Sequence, residues 1–397
     1  MRILYLSNQR LPTEKAYGIQ IAKTCEAMAD LGCAITLLCP FRISKVKDEF
    51  FNYYGIKRNF VFKKVFVFDF YLPGIFNKIA FGAKSLCSAL VLVLYALIEG
   101  ADIFYTRDEP VAYILSFFRK NIVFESHRFS NKRKIFYSRF KKKNLKIIVI
   151  SQGLKDDFIN FGIKASNLLV ARDGVDLGEF NINVSKEDAR KRFFSNLHGE
   201  AFKRKKIAVY IGHLYSWKGV NIFSEIAKYV CDKNVNYLIS FFGGTDKDFK
   251  ILDEDSRVLQ EELSKIHPNF VPILYPYRRV PHKDVPYILK AADGAILIGN
   301  ESETISAKYT SPLKMFEYMA SGCPIVAQAL PSFREVLNDE NSFLVKPGDA
   351  KALADKIAWI FDDANVKIAE EKASKAFDDV QKYTWQNRAA NILNFLG

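Results

Sequence analysis

Ser311-Pro-Leu-Lys-Met-Phe-Glu317 gathers residues able to hold an anion beside hydroxyl groups. Ser311 can cap a helix, and Pro312 suits its first turn. A helix start offers free N–H groups and the positive end of a dipole, and so holds phosphate. Lys314 and Glu317 are three apart and share a helix face, one carrying charge for a phosphate and the other a carboxylate for hydroxyls. Gly322 can end this helix, and Pro324–Ala327 reads as the next buried strand. A second stretch, Ile211-Gly-His-Leu-Tyr-Ser-Trp-Lys-Gly219, carries related chemistry. Gly212 and Gly219 let backbone N–H groups approach a phosphate, and Lys218 adds charge. Alone it could be a simple turn. Paired with Ser311–Glu317 it makes a diphosphate site, which fits a nucleotide or a nucleotide sugar. Phe242-Gly-Gly244 ends another strand and gives close backbone access there; a plain strand-end turn is the alternative.

The elements that must position these residues alternate between short apolar runs and longer helical patterns. Strands are expected at Ile3–Ser7, Ala34–Cys39, Val61–Phe68, Ile103–Thr106, Ile122–Phe124 and Ile147–Ile150, with helices such as Ile19–Leu31 and Lys84–Ile98 between them. The segment Asp176–Lys206 is polar and charged. A second series follows, with strands at Ile207–Ile211, Asn236–Phe242, Val271–Leu274, Gly294–Ile298, Pro324–Ala327 and Ser342–Val345, and helices at Asn221–Asp232, Val285–Ala292 and Ala350–Asp362. This is an α/β pattern of parallel sheets in two Rossmann-like domains. The expected division is residues 1–175, a linker region at 176–206, a second domain at 207–380, and a C-terminal helix at 381–397 packing back on the first domain. Such folds bind ligands outside the strand C-termini, so two facing domains would make a cleft.

With 397 residues and 49% hydrophobic content, the chain can fill two cores. Arg2–Ser7 reads as a first buried strand with no secretory signal before it. The longest uncharged apolar run, Ser85–Ile98, has 14 residues, short of a membrane span, and reads as a core helix. The six cysteines lack CxxC spacing and suit buried thiols in a reducing, cytoplasmic compartment. The net charge of +14 is concentrated between Ser126 and Lys155, where there are many basic residues, interleaved aromatics and no acidic residue. Residues 128–146 suit an anionic membrane surface, which would make the protein peripheral on the inner face of the cytoplasmic membrane. A solvated helix face is the plain alternative. No nucleic-acid motif accompanies the segment, and nucleic acid is not expected as a partner.

The pairing of Gly212-x5-Lys218-Gly219 with Ser311-Pro-Leu-Lys-x2-Glu-Tyr-Met-Ala-Ser-Gly322 resembles the retaining, nucleotide-sugar-dependent glycosyltransferases of family 4, which have the GT-B fold. Val149–Asp157, Ala171–Asp176 and Asp284–Asp293 resemble further segments of that family. The resemblance implies that Lys218 binds the donor diphosphate and Glu317 the ribose. The backbone of Thr310, Ser311, Pro312 and Leu313 would hold the distal phosphate, with support from Lys314. Gly212, His213 and Gly243 would line the donor, and the base would sit near Tyr275–Val280, including Tyr277. Gly18 would lie near the phosphates and the acceptor, and His127 near the donor sugar. The acceptor would be a saccharide or lipid-linked saccharide placed by Asn8, Tyr17 and Arg107. The resemblance also shows departures. Tyr309 stands where many members carry Glu, with Glu301 and Glu303 out of register. His213 replaces a frequent Arg, and Leu11–Tyr17 lacks a double glycine.

The expected reaction moves a sugar from a nucleoside diphosphate sugar, UDP ahead of GDP, to an acceptor hydroxyl with retention, in cell-surface polysaccharide or glycolipid synthesis. Lys218, Lys314 and the helix start would stabilise the leaving diphosphate. No DxD or His/Cys/Asp cluster suggests a metal; the Asp253-Glu-Asp255 stretch reads as an exposed polar segment. No cofactor is expected beyond the donor as co-substrate. A catalytically weak nucleotide-sugar-binding subunit of a polysaccharide assembly complex is the alternative. A dinucleotide oxidoreductase fits poorly, since no GxGxxG follows either first strand.

Overall fold

The structure is a computed structural model. It describes residues 1–44, 46–67, 76–194, 205–230, 237–244, 258, 261–262, 264–265, 273–277 and 279–397. Cys231 and Asp253–Asp255 lie outside these residues. The chain divides into two compact units, Met1–Asp173 with Trp385–Gly397, and Gly174–Thr384.

The first unit is built on β1 (Arg2–Leu6), β2 (Ala34–Pro40), β3 (Val61–Val65), β4 (Ile103–Thr106), β5 (Ile122–Ser126), β6 (Lys146–Val149) and β7 (Leu168–Val170). They form one parallel sheet in the order β3-β2-β1-β4-β5-β6-β7. β5 is buried along its whole length and β1 along all but its first residue. Strands covered on both faces read as unbroken apolar runs, which is why these two were visible in the sequence. The order reverses between β1 and β4, so the loops after those strands diverge and open a crevice at their C-terminal ends. The C-terminal helix Trp385–Leu396 returns to this unit and packs on the helix Ala16–Asp30. The stretch Lys84–Ile98, expected to be a core helix, lies in the longer helix Phe76–Glu99 and is buried on a single face only. Ala89, Leu92, Val93 and Ala96 are buried, while Leu86, Leu90, Leu94 and Ile98 are exposed.

The second unit has β8 (Lys206–Ile211), β9 (Tyr237–Phe242), β10 (Leu274–Tyr277), β11 (Gly294–Leu297), β12 (Ile325–Gln328) and β13 (Phe343–Val345). They run parallel in the order β10-β9-β8-β11-β12-β13, with a second switch point between β8 and β11. Of the strand expected at Val271–Leu274, Val271 and Pro272 lie outside the described residues. β10 pairs from Leu274 and contains Pro276, a residue without an N–H that an edge strand tolerates. In the segment 176–206 the described residues include helices Leu177–Phe180 and Lys186–Phe194. The latter packs on the helix Val285–Ala291, and Arg190 and Lys186 both reach Asp293. A further helix, Leu313–Ala320, links the end of β11 to β12.

Candidate functional site

The second unit assembles its site at the C-terminal ends of β8 and β9. Gly212 follows β8 with φ 151° and donates its N–H to Phe242 O at 2.8 Å. Gly243 follows β9 with φ 142°, and a Cβ there would meet Gly212 O at 2.1 Å. A Cβ on Gly212 would in turn stand 2.8 Å from Lys314 Nζ. The two glycines are thus required for a backbone-on-backbone contact directly beneath a lysine. The helix carrying that lysine is tied to β8 by Ile211 N–H, which donates to Tyr318 Oη at 2.8 Å. Lys314 is buried, its Nζ lies 3.8 Å from the Tyr210 ring centroid, and that nitrogen has no hydrogen-bond partner among the described residues. Burial, then the neighbouring Lys218, push its pKa well below the usual lysine range, with Glu317 opposing.

Lys218 ends the single turn Ser216–Lys218, and burial lowers its pKa to about 8. Its ammonium lies 5.6 Å from the Tyr215 ring and 5.3 Å from Trp217. His213 stacks on Tyr215 with centroids 5.0 Å apart, so a short aromatic wall backs the loop. Gly219 is left-handed, φ 74°, and a Cβ there would lie 2.7 Å from Gly299 O. Glu317, one turn along from Lys314, is buried and paired with His282 Nε2 at 2.7 Å. The N-terminus of the helix differs from expectation. Pro312, extended at φ −74° and ψ 127°, is the cap residue, and no side chain bonds into the helix start. Ser311 precedes the cap and is buried, so it is not the N-cap the sequence suggested. The first N–H groups of the helix, at Leu313 and Lys314, therefore have no side-chain cap competing for them.

The first unit centres on Glu125, buried in β5. Its carboxylate accepts from Gln20 Nε2 at 2.6 Å and Arg388 Nη2 at 2.9 Å, pairs with His127 Nε2 at 2.7 Å, and takes the Tyr105 hydroxyl. Burial alone would raise its pKa, but Arg388, His127 and Arg107 hold it well below the usual carboxylate range. His127 is pushed down to about 4 by burial and by Arg107, against the pull of Glu125. It is neutral at pH 7. The bond to a carboxylate places the ring proton on Nε2 and leaves Nδ1 as an acceptor. Arg107 donates to Gln20 Oε1 at 2.5 Å and so joins the same network.

Residues 205–363 match the model of the family described as glycosyl transferases group 1. The matched stretch lies within the second unit. Over 80 residues the chain is 36% identical to a phosphatidyl-myo-inositol mannosyltransferase of Mycobacterium leprae, a stretch covering 20% of this chain and 21% of that protein. The chain thus spans about a fifth of the length of that curated relative. Among solved structures it resembles Anabaena HepE in complex with UDP and glucose, at 17% identity, TM-score 0.73, covering 99% of this chain and 98% of that one. It also resembles a glycosyltransferase from Rickettsia africae, at 16% identity, TM-score 0.74, covering 100% of this chain and 97% of that one. At these identities the structures show the fold, which is GT-B.

The second unit brings Gly212, His213, Lys218, Gly243, Lys314 and Glu317 to its candidate site, with Thr310, Ser311, Pro312 and Leu313 leading into the helix. Tyr277 is placed differently in kind. Its ring stacks on Phe242 at 4.7 Å and meets Phe194 edge-on at 5.6 Å, so it packs with the core. Tyr309 is buried at the end of the helix Thr304–Lys308, while Glu301 and Glu303 are exposed. In the first unit Asn8 is held by Ser85 O and Arg42, at 2.9 Å each. Gly18 sits against Tyr54, where a Cβ would fall 2.1 Å from the hydroxyl. That hydroxyl accepts from Thr13 N–H and donates to Thr13 O, pinning the loop after β1. Tyr17, partly buried, lies in the first turn of the following helix. Sequence reasoning missed Glu125 and His282. A glutamate inside the apolar run Ile122-Val-Phe-Glu-Ser126 was the available signal, since a buried charge needs partners.

Proposed function

We propose that the chain is a retaining glycosyltransferase of the family 4 type, moving a sugar from a nucleoside diphosphate sugar to an acceptor hydroxyl. The observation that carries this reading is the pair Lys218 and Lys314 at a helix start, with Lys314 buried and lacking a hydrogen-bonded partner among the described residues. A buried cation calls for an anion, and a diphosphate supplies one. Glu317, held by His282, offers its remaining acceptor sites to the ribose hydroxyls. The solved HepE complexes hold UDP, glucose and UDP-glucose, and this supports UDP as the nucleotide here. In the reaction the bond from the anomeric carbon to the diphosphate oxygen breaks and the bond to the acceptor oxygen forms on the same face. The acceptor proton passes to the leaving phosphate. Lys218, Lys314 and the N–H groups of Leu313 and Lys314 stabilise the charge that develops there, without assigning that work to a metal. In the first unit, neutral His127 offers Nδ1 to a sugar hydroxyl, with Arg107, Asn8 and Tyr17 nearby in the crevice after β1 and β4. The basic segment 128–146 faces an anionic membrane surface on the cytoplasmic side, consistent with a lipid-linked acceptor in polysaccharide or glycolipid synthesis.

Turnover of UDP- and GDP-sugars by the intact chain tests this. Lys218→Ala and Glu317→Ala, each shown to be folded, are expected to lower nucleotide release by about 100-fold or more. Full activity in both would sink the assignment. Tyr309 favours a second reading, a nucleotide-sugar binder with little catalysis, because its buried ring stands where many relatives place a carboxylate. Tight nucleotide binding with neither hydrolysis nor transfer would select that reading.

A further inference from the structure

We propose that the helix Phe76–Glu99 is an in-plane membrane anchor that inserts its outer face into an anionic phospholipid surface. Over Gly82–Glu99 the helix is apolar enough to cross a membrane, yet only 33% of that stretch is buried. Its outer face carries Leu86, Leu90, Leu94 and Ile98 at intervals of four, and Ile98 is 83% exposed. Its inner face is fixed: Ala89, Leu92, Val93 and Ala96 are buried, and Asn8 Nδ2 donates to Ser85 O at 2.9 Å. A helix so held lies along the unit and presents one apolar stripe, the arrangement of an interfacial helix rather than a spanning one.

Charge identifies the occupant. The crossovers from β3 to β4, β4 to β5 and β5 to β6 all run in one direction across the sheet. Right-handed connections therefore put the helices Phe76–Glu99, Glu109–Leu115 and Lys134–Lys143 on one face, and neighbours among them touch. Arg119 Nη2 donates to Leu97 O at 3.1 Å, and Arg139 lies 3.8 Å from the Phe117 ring while its Nε donates to Ser116 Oγ at 2.9 Å. These contacts carry the apolar stripe past exposed Phe117 and Phe118 to exposed Ile135, Lys134 and Lys142. The acidic groups nearby are already paired, Glu99 with Lys63 at 2.6 Å and Glu109 with Arg133 at 2.7 Å. An apolar stripe bordered by unopposed lysines complements acyl chains below anionic headgroups. The proposal rests on the membrane-facing reading of residues 128–146 and adds hydrophobic insertion to it.

Cys87 lies exposed on the same helix and takes a polarity-sensitive dye, with Cys87→Ser as the labelling control. The intact chain is mixed with phosphatidylcholine vesicles with and without phosphatidylglycerol, at low and high salt, some with nitroxide on the acyl chain. The dye is expected to shift to the blue and be quenched by the nitroxide. Part of the binding should survive high salt, and a Leu86→Ser, Leu90→Ser, Leu94→Ser variant should lose about tenfold or more of its vesicle affinity. These side chains are about half exposed and lie outside the buried face, so the variant should stay folded and keep its nucleotide binding. Salt-sensitive binding with the dye still open to aqueous iodide would overturn insertion while leaving the basic surface standing. No vesicle binding at all would overturn both. Lipid-free self-association that the serine variant abolishes would reassign the stripe to a second copy of the chain and overturn the proposal.

Discussion

Lys314 is costly to the fold, because a buried ammonium over the Tyr210 ring and next to Lys218 has no hydrogen-bonded counter-charge among the described residues. Replacing it by Met should therefore raise the melting temperature of the nucleotide-free chain while weakening nucleotide binding, a separation that a purely structural lysine would not give. Lys218 sets a pH dependence. Burial brings its pKa to about 8, so the free protein loses this proton as pH rises through that value. A bound diphosphate favours the charged form, so binding should take up protons near and above pH 8, and the Kd should rise with pH there. Calorimetric titration in buffers of different ionisation enthalpy reads this uptake directly. Lys314 and Glu317 were legible in the sequence because their spacing on one helix is local, and Lys218 because it stands between Gly212 and Gly219 in a short loop after a strand. His282 was not, since it lies 35 positions from Glu317 and only the fold joins them. If His282 orients the carboxylate, His282→Ala and Glu317→Ala should be strongly non-additive in nucleotide affinity, with the double variant close to Glu317→Ala alone.

At the scale of elements, the strands that the sequence revealed are those buried on both faces, such as β1, β5 and β9. β7 escaped because Leu168–Val170 is a short apolar step inside a polar turn, and β10 was expected at Val271–Leu274, whereas the described strand is Leu274–Tyr277, whose Pro276 the sheet edge permits. The helix start at Leu313 was recognisable from Pro312, but the capping role given to Ser311 was not realised, since Pro312 itself takes the extended cap conformation. The glycines after β8 and β9 were read in the sequence as points of close backbone access, with a plain turn as the alternative; that they touch each other is visible only in the structure. Gly243→Ala would drive a Cβ to 2.1 Å from Gly212 O. It is expected to cost about 1–3 kcal/mol by thermal or denaturant unfolding and to displace the backbone under Lys314, weakening nucleotide binding as well. An alanine variant with unchanged stability and affinity would show that this contact does not shape the site.

On the scale of the whole molecule, the α/β duplication was readable from alternating runs, and the return of the C-terminal helix from its amphipathic pattern. What sequence could not show is that this helix brings Arg388 to Glu125, 263 positions away. Glu125 in turn holds His127, so the last helix completes the network behind a candidate sugar-facing group. Arg388→Met would leave a buried carboxylate with less compensation and should destabilise the chain by about 3–5 kcal/mol. Its unfolding midpoint, compared with that of an Arg388→Met, Glu125→Gln double variant, tests whether the charge pair accounts for the loss, with partial recovery expected in the double. The central claim is that the second unit grips a diphosphate between Lys218, Lys314 and the helix start. Calorimetric titration of the full chain and of Lys314→Met with a nucleoside diphosphate and with the matching monophosphate tests it most directly. The account predicts a preference for the diphosphate of about tenfold or more that collapses in Lys314→Met; equal affinity for the two ligands in the unaltered chain, or a preference untouched by the substitution, would contradict it.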